Sequence, residues 1–165
     1  PWHIGARGGM YLPVGDLADI AKPGYGGFFT VEYSMPFMRE IFAGVDAGYL
    51  TFAGNCKGVD SLRMIPVELR SSYLYELDDS WSFSGTFACG MTFTEMSYFV
   101  EKDLSGNPVL LKATATDPSL SLAVQARWAP LDNLQLGLGC EWRTVCESAG
   151  LLHAPGVSLS CALRF

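Results

Sequence analysis

The amino-acid sequence predicts an all-β fold, a single eight-stranded antiparallel up-and-down barrel over residues 1–165, and three observations carry that expectation. Short runs alternate apolar and small or polar residues with a period of two, eight times along the chain. The connections between them alternate long and short, as successive hairpins of one closed sheet would. Hydrophobic residues make up 49% of the chain and charged ones only 17%, yet within the alternating spans the charges fall on the opposite strand face from the large apolar side chains. Eighteen Gly and nine Pro supply the turn chemistry such a chain needs.

Strand one is expected from Trp2 to about Val14, with Trp2, Ile4, Ala6 and Met10 on one face and His3, Gly5, Arg7 and Tyr11 on the other. A polar loop, 15–23, follows it. Strand two, Gly26 to Met35, sets Phe29, Val31 and Tyr33 against Thr30, Glu32 and Ser34, and a short turn leads to strand three, Ile41 to Phe52. Strand three is phased by Asp46, which must share a face with Phe42, Leu50 and Phe52 if Val45, Ala47 and Tyr49 are to face the other way. Strand four sets Ile65, Val67, Leu69, Tyr73 and Tyr75 against Met64, Glu68, Arg70 and Glu76. Strand five, from Trp81 to Phe93, has the most regular alternation. The stretch 95–117, with Ser105-Gly106-Asn107-Pro108 at its middle, reads as a hairpin that carries the wall beyond the barrel. Strands six (Leu120 to Trp128) and seven (Leu134 to Trp142) place Arg127, Glu141 and Arg143 on the polar face. A loop from Glu147 to Ala154 then leads to strand eight, which ends on Arg164-Phe165.

Collected by face, the polar side holds Arg7, Arg70, Arg127, Arg143 and Arg164 against Glu32, Asp46, Glu68, Glu76 and Glu141. A cation facing lipid near the midplane costs about 2–4 kcal/mol, so a barrel that crosses a membrane must turn these charges inward and pair them. Aromatic residues mark the ends of the other face. With the short turns on one side, Trp2, Tyr33, Tyr75, Trp81, Trp128 and Phe165 come to one level, and Phe29, Tyr49, Phe93 and Trp142 to the other. Two such rings suit the two interfaces of a bilayer, where an apolar ring with a polar handle is at home. A soluble barrel with a ligand cavity would alternate equally well but would not need the banding or the balanced charges. No run approaches the roughly 18–20 apolar residues of a spanning helix.

The whole chain resembles the small eight-stranded bacterial outer-membrane barrels, the group of the OmpA transmembrane domain, OmpX and OmpW. The stretch Gly5 to Gly27, the strand-turn-strand Leu120 to Trp142 and the ending Val157 to Phe165 carry the resemblance. It implies a monomer in the bacterial outer membrane with both termini periplasmic. Its partners would be outer-membrane lipid, the barrel insertion machinery that reads the C-terminal strand ending at Phe165, and a host or surface ligand at the loops. A non-enzymatic role through those loops, in adhesion, surface contact or envelope integrity, is the function it implies. The alternative is an OmpW-like narrow channel for small, mainly hydrophobic molecules, for which Tyr11, Phe42, Leu50, Phe52 and Met64 could line an apolar funnel.

The remaining chemistry points away from other classes. A formal charge of -6 and the lack of a basic face argue against nucleic acid. No catalytic residue, metal site or cofactor is expected: His3 and His153 are the only histidines, placed at opposite ends, and neither is flanked by a partner set for acyl transfer. The five cysteines match no metal-ligand spacing. Setting the last hairpin symmetrically about 147–154 makes Cys140 and Cys161 neighbours, and a Cys56–Cys146 bridge at the rim is open in an oxidising envelope. Pro1 to His3 already read as the start of a strand, so a mature or trimmed chain is expected.

Overall fold

The first strand, β1 (Trp2–Tyr11), pairs with β2 (Gly24–Met35) on one side and with β8 (Gly150–Arg164) on the other, which closes the sheet into a ring. Between them run β3 (Met38–Ala53), β4 (Val59–Glu76), β5 (Trp81–Lys102), β6 (Pro108–Leu131) and β7 (Leu134–Glu147), each antiparallel to its neighbours. The computed structural model describes residues 2–55, 58–102, 108–148 and 150–165. The two termini meet at the turn end, where Trp2 N donates to Phe165 O (3.1 Å) and Phe165 N to Trp2 O (2.9 Å). Following paired residues from Trp2 through Tyr33, Ala43, Ser71, Phe87, Leu122, Trp142 and Pro155 returns the path to β1 at Leu12, a stagger of ten residues. With ordinary strand spacings that stagger tilts eight strands by ~40° from the barrel axis.

The outer surface is apolar where a soluble protein's would be polar. Leu69, Val124 and Leu159 are each about two-thirds exposed in mid-wall, and their neighbours outside are again Val, Leu, Ile, Phe and Met. Hydrocarbon is the solvent that tolerates such a wall, and a closed barrel is the β-structure that leaves no backbone group unpaired in it. At the turn end Trp2 packs on Tyr33 (4.9 Å between ring centres) and Trp81 on Trp128 (6.4 Å), with Tyr75 and Phe165 nearby on the same rim. Tyr49, Phe93 and Trp142 lie toward the far end. Phe29 does not: it pairs with Ala6 and Ala47, halfway along β1, and Tyr25, opposite Met10 and Thr51, holds the higher position.

The structure departs from the sequence expectation at three other places. β1 stops at Tyr11, and the expected polar loop contains a short helix, α1 (Asp16–Ile20), entered through Gly15 at a φ of 61° that favours glycine. Its Leu17 is fully buried in the far mouth of the barrel. β8 begins at Gly150 instead of 154, because Leu152 and Ala154 turn inward and continue the alternation; the adjacent leucines 151 and 152 had hidden it. That moves the register of the last hairpin, so Cys140 faces Val157 and Cys161 faces Leu136, four residues apart on β7. Cys56 lies outside the described residues, so its pairing with Cys146 does not enter the description. The 95–117 stretch is a hairpin extension of the wall, paired as far as Lys102 with Pro108 after a register shift beyond Val100.

Burial of Leu17 at the far mouth should carry real stability. Leu17→Ala is expected to cost about 2–5 kcal/mol in denaturant unfolding of the folded barrel in detergent, whereas Lys22→Ala, on the same connection, should stay within about 0.5 kcal/mol.

Candidate functional site

Inside the barrel, inward side chains of five strands form one continuous ionic chain. Arg70 Nε lies 2.8 Å from Glu32 Oε1, and its Nη1 lies 3.1 Å from Asp46 Oδ1. Asp46 meets Arg7 Nη1 at 3.0 Å, and Arg7 Nη2 reaches Glu141 Oε2 at 3.4 Å. Glu141 then contacts Arg143 Nη2 at 2.6 Å, and Arg143 Nη1 contacts Glu68 Oε1 at 2.5 Å. The order Glu32, Arg70, Asp46, Arg7, Glu141, Arg143, Glu68 alternates sign at every step. Hydroxyls saturate the acids: Ser72 donates to Glu32 (2.8 Å), Ser119 and Ser121 to Glu68 (2.9 and 3.3 Å), and Tyr11 to Glu141 (3.3 Å), while Thr30 donates to Asp46. Phe28, one of two adjacent phenylalanines of which one had to face inward, sits under both Arg7 and Arg143, 4.3 and 4.7 Å from its ring centre.

Three of the ten expected members lie outside this chain. Glu76 and Arg164 are exposed at the turn end, because the lumen widens into solvent beyond Leu74 on β4 and Ala162 on β8. Arg127 is buried but bonds Gln125 Oε1 (2.9 Å) through its Nε, and among the described residues it makes no ion pair. Arg70 takes Glu32 and Asp46, while Arg143 takes Glu68. Room for these side chains comes from small neighbours: a Cβ on Gly44 would strike the Val31 carbonyl and the Glu32 side chain, and one on Gly48 would enter the Phe28 ring.

On the far side of the ionic chain, Tyr11, Leu50, Phe52 and Met64 pack with Leu17, Ala21, Leu62, Val145, Leu152 and Ala154 into one apolar cluster. Four of the five residues expected to line a funnel therefore fill it, with α1 as the stopper. The fifth, Phe42, lies at the other end against His3, with ring centres 4.6 Å apart. Leu17 and Leu62 gave no warning in the sequence; a leucine in a loop otherwise rich in Asp, Ala and Gly was the only available sign. On the turn side a cavity of about 50 Å³ is bordered by Arg127, Glu32, Gln125 and Ser160, enough for a few water molecules. His153 sits on β8, its Nδ1 3.0 Å from Thr144 Oγ1 and its ring near Trp142. No group of three His, Cys, Asp or Glu among the described residues is arranged to hold a metal.

The second candidate is the wall extension. β5 and β6 run 22 and 24 residues, and β6 passes far beyond its neighbour β7. Pairing of β6 with β7 starts only at Ser119, just after Pro118, so β6 from Val109 to Pro118 bonds to β5 alone and presents a free edge. Phe99, Leu110 and Leu111, each about half-exposed, lie toward its tip.

The fold is that of the small eight-stranded outer-membrane barrels. The chain superposes on the Neisserial surface protein A with a TM-score of 0.68 at 11% identity, covering 99% of this chain and 97% of that one. Ail, the attachment invasion locus protein of Yersinia pestis, gives 0.59 at 13% identity, over 99% and 98%. The N-terminal β-barrel domain of Pseudomonas aeruginosa OprF gives 0.52 at 9%, over 99% and 97%. No family model and no curated protein matches the sequence.

Membership of the ionic chain has a measurable consequence. Arg143→Met leaves Glu68 without a cation and Glu141 with Arg7 alone, and should cost on the order of 3–5 kcal/mol in denaturant unfolding, while Arg164→Met at the exposed rim should change stability by less than about 0.5 kcal/mol.

Proposed function

We propose that this chain is a non-enzymatic, monomeric outer-membrane barrel, with its termini and short turns on the periplasmic side, that works by surface contact through the β5–β6 hairpin. The observation that carries this reading is the free β6 edge from Val109 to Pro118, which runs on past the end of its pairing with β7. An unpaired strand edge is a ready template for an extended segment of another polypeptide, which gains main-chain hydrogen bonds along it. Exposed Phe99, Leu110 and Leu111 beside it offer apolar surface that water alone would not favour. Ail, which shares this fold, is by its description an attachment and invasion protein, which supports a contact role here without specifying a ligand.

Assembly follows the same orientation. Phe165 closes the ring against Trp2, and we take it as the terminal aromatic read by the insertion machinery. Against a narrow channel for hydrophobic molecules stand the filled apolar cluster and the ionic chain beneath it, which together occupy the lumen.

Cells displaying the wild-type chain should adhere to surfaces coated with extracellular matrix proteins more than vector controls do. The triple variant Phe99→Ser, Leu110→Ser, Leu111→Ser, displayed at equal level, should lose that gain. An equal gain by the variant, or no gain by the wild type, contradicts the reading.

A further inference from the structure

On the outside of the wall, just above the far aromatic level, the alternation that keeps the barrel's exterior apolar is broken at three neighbouring positions. Arg63 on β4, Glu95 on β5 and Lys112 on β6 all point outward. Arg63 and Glu95 are registered partners across β4 and β5, with Arg63 Nη1 3.5 Å from Glu95 Oε1, and Lys112 Nζ reaches the same oxygen at 3.2 Å. Both cations remain at least half exposed while the carboxylate they share is about one-third exposed. One acid between two cations leaves a net positive charge, and the cationic heads keep most of their hydrogen-bonding capacity free.

Directly below the trio the wall is hydrocarbon-facing again. A cleft of about 420 Å³ runs from Arg63 and Glu95 down past Thr116 to Tyr49, Ile65 and Phe93. Its upper end is cationic and hydroxyl-lined; its lower end is aliphatic and aromatic, and it opens onto the belt that acyl chains cover. A single molecule that matches both ends has an anionic headgroup and a hydrocarbon tail, and it approaches from within the leaflet.

We propose that this cleft holds an anionic lipid of the leaflet at the hairpin end, its headgroup phosphate bound at the upper mouth between Arg63, which lines the cleft, and Lys112 beside it, and one acyl chain lying over Ile65 and Phe93. Thr114 and Thr116, outward on β6 beside Glu95, supply hydroxyl donors to the phosphate or its sugar. Glu95 holds the two cations in place and limits the strength of the site, because the phosphate must compete with it for the same donors. The site lies at the foot of the β5–β6 extension, so a bound headgroup would brace the hairpin where it leaves the membrane. The orientation of the barrel in an outer membrane is taken from the proposed function, and the test separates the two.

The folded protein is placed in nanodiscs of phosphatidylcholine doped with bis-phosphorylated lipid A or with its dephosphorylated counterpart, and retained lipid is counted by native mass spectrometry. Wild type should retain the phosphorylated lipid preferentially. Arg63→Ala and Lys112→Ala should each weaken retention about fivefold and together ~30-fold, at roughly one surface cation's worth of attraction apiece. Glu95→Gln should strengthen it, an outcome that a merely structural ion pair would not produce. Arg39→Ala, at the opposite end, should change nothing. Equal retention of the two lipids, or a double variant that binds like wild type, overturns the site. Failure of the wild type to enter the bilayer at all, seen as absence of a heat-modifiable gel shift, overturns the membrane reading and the site with it.

Discussion

Everything in this barrel depends on one electrostatic constraint: charges that would be ruinous on the lipid face must be turned into an interior only as wide as the side chains that fill it. An eight-stranded ring leaves no room for bulk water around an ion, so an inward charge needs an opposite charge or, as Arg127 finds in Gln125, a hydrogen-bond acceptor. The seven-membered chain from Glu32 to Glu68 meets that demand, with arginines that each bridge two acids. Arginine suits the task because its planar fork can address two carboxylates at once and it stays charged under any accessible condition. The glycines at 44 and 48, and the serines and threonines between the charges, follow from the same requirement, since larger neighbours would collide with the network or leave its acids without donors.

The face assignment was legible because a strand has a strict period of two and a single misplaced charge fixes its phase. Asp46 alone settled β3 and sent Phe42, Leu50 and Phe52 inward, where they are found. What the sequence did not show were partners and depth. Which acid an arginine reaches depends on stagger around the ring, and a ten-residue shear puts Arg143 of β7 beside Glu68 of β4, positions that no local spacing connects. Glu76 and Arg164 alternate correctly yet lie beyond the level at which the lumen closes, so parity placed them inside while height put them at the rim. Phe29 went astray for the same reason, since its face was right and its level was not. The helix α1 escaped notice because five residues are too few to show a helical period, and its role comes from one buried leucine.

These constraints divide the molecule into a closed interior and an active exterior. Two layers fill the interior, the ionic chain and the apolar cluster under α1. Two features break the uniform exterior: the long hairpin with its unpaired β6 edge, and the charged trio at the hairpin's foot. Both lie at the end opposite the termini, on the same three strands, so the chemistry that distinguishes this chain from a plain membrane wall is concentrated on one side of the barrel.

Single-channel recording of the purified protein in planar bilayers tests the closed interior most directly. A lumen filled by the Arg7, Arg70 and Arg143 network and stoppered by Leu17 should give no stable conductance in the wild type or in Arg70→Ala, with openings appearing only when both closures are cut, as in Arg70→Ala combined with Leu17→Ala. Steady, sizeable conductance by the wild-type protein, unchanged in Arg70→Ala, would contradict it.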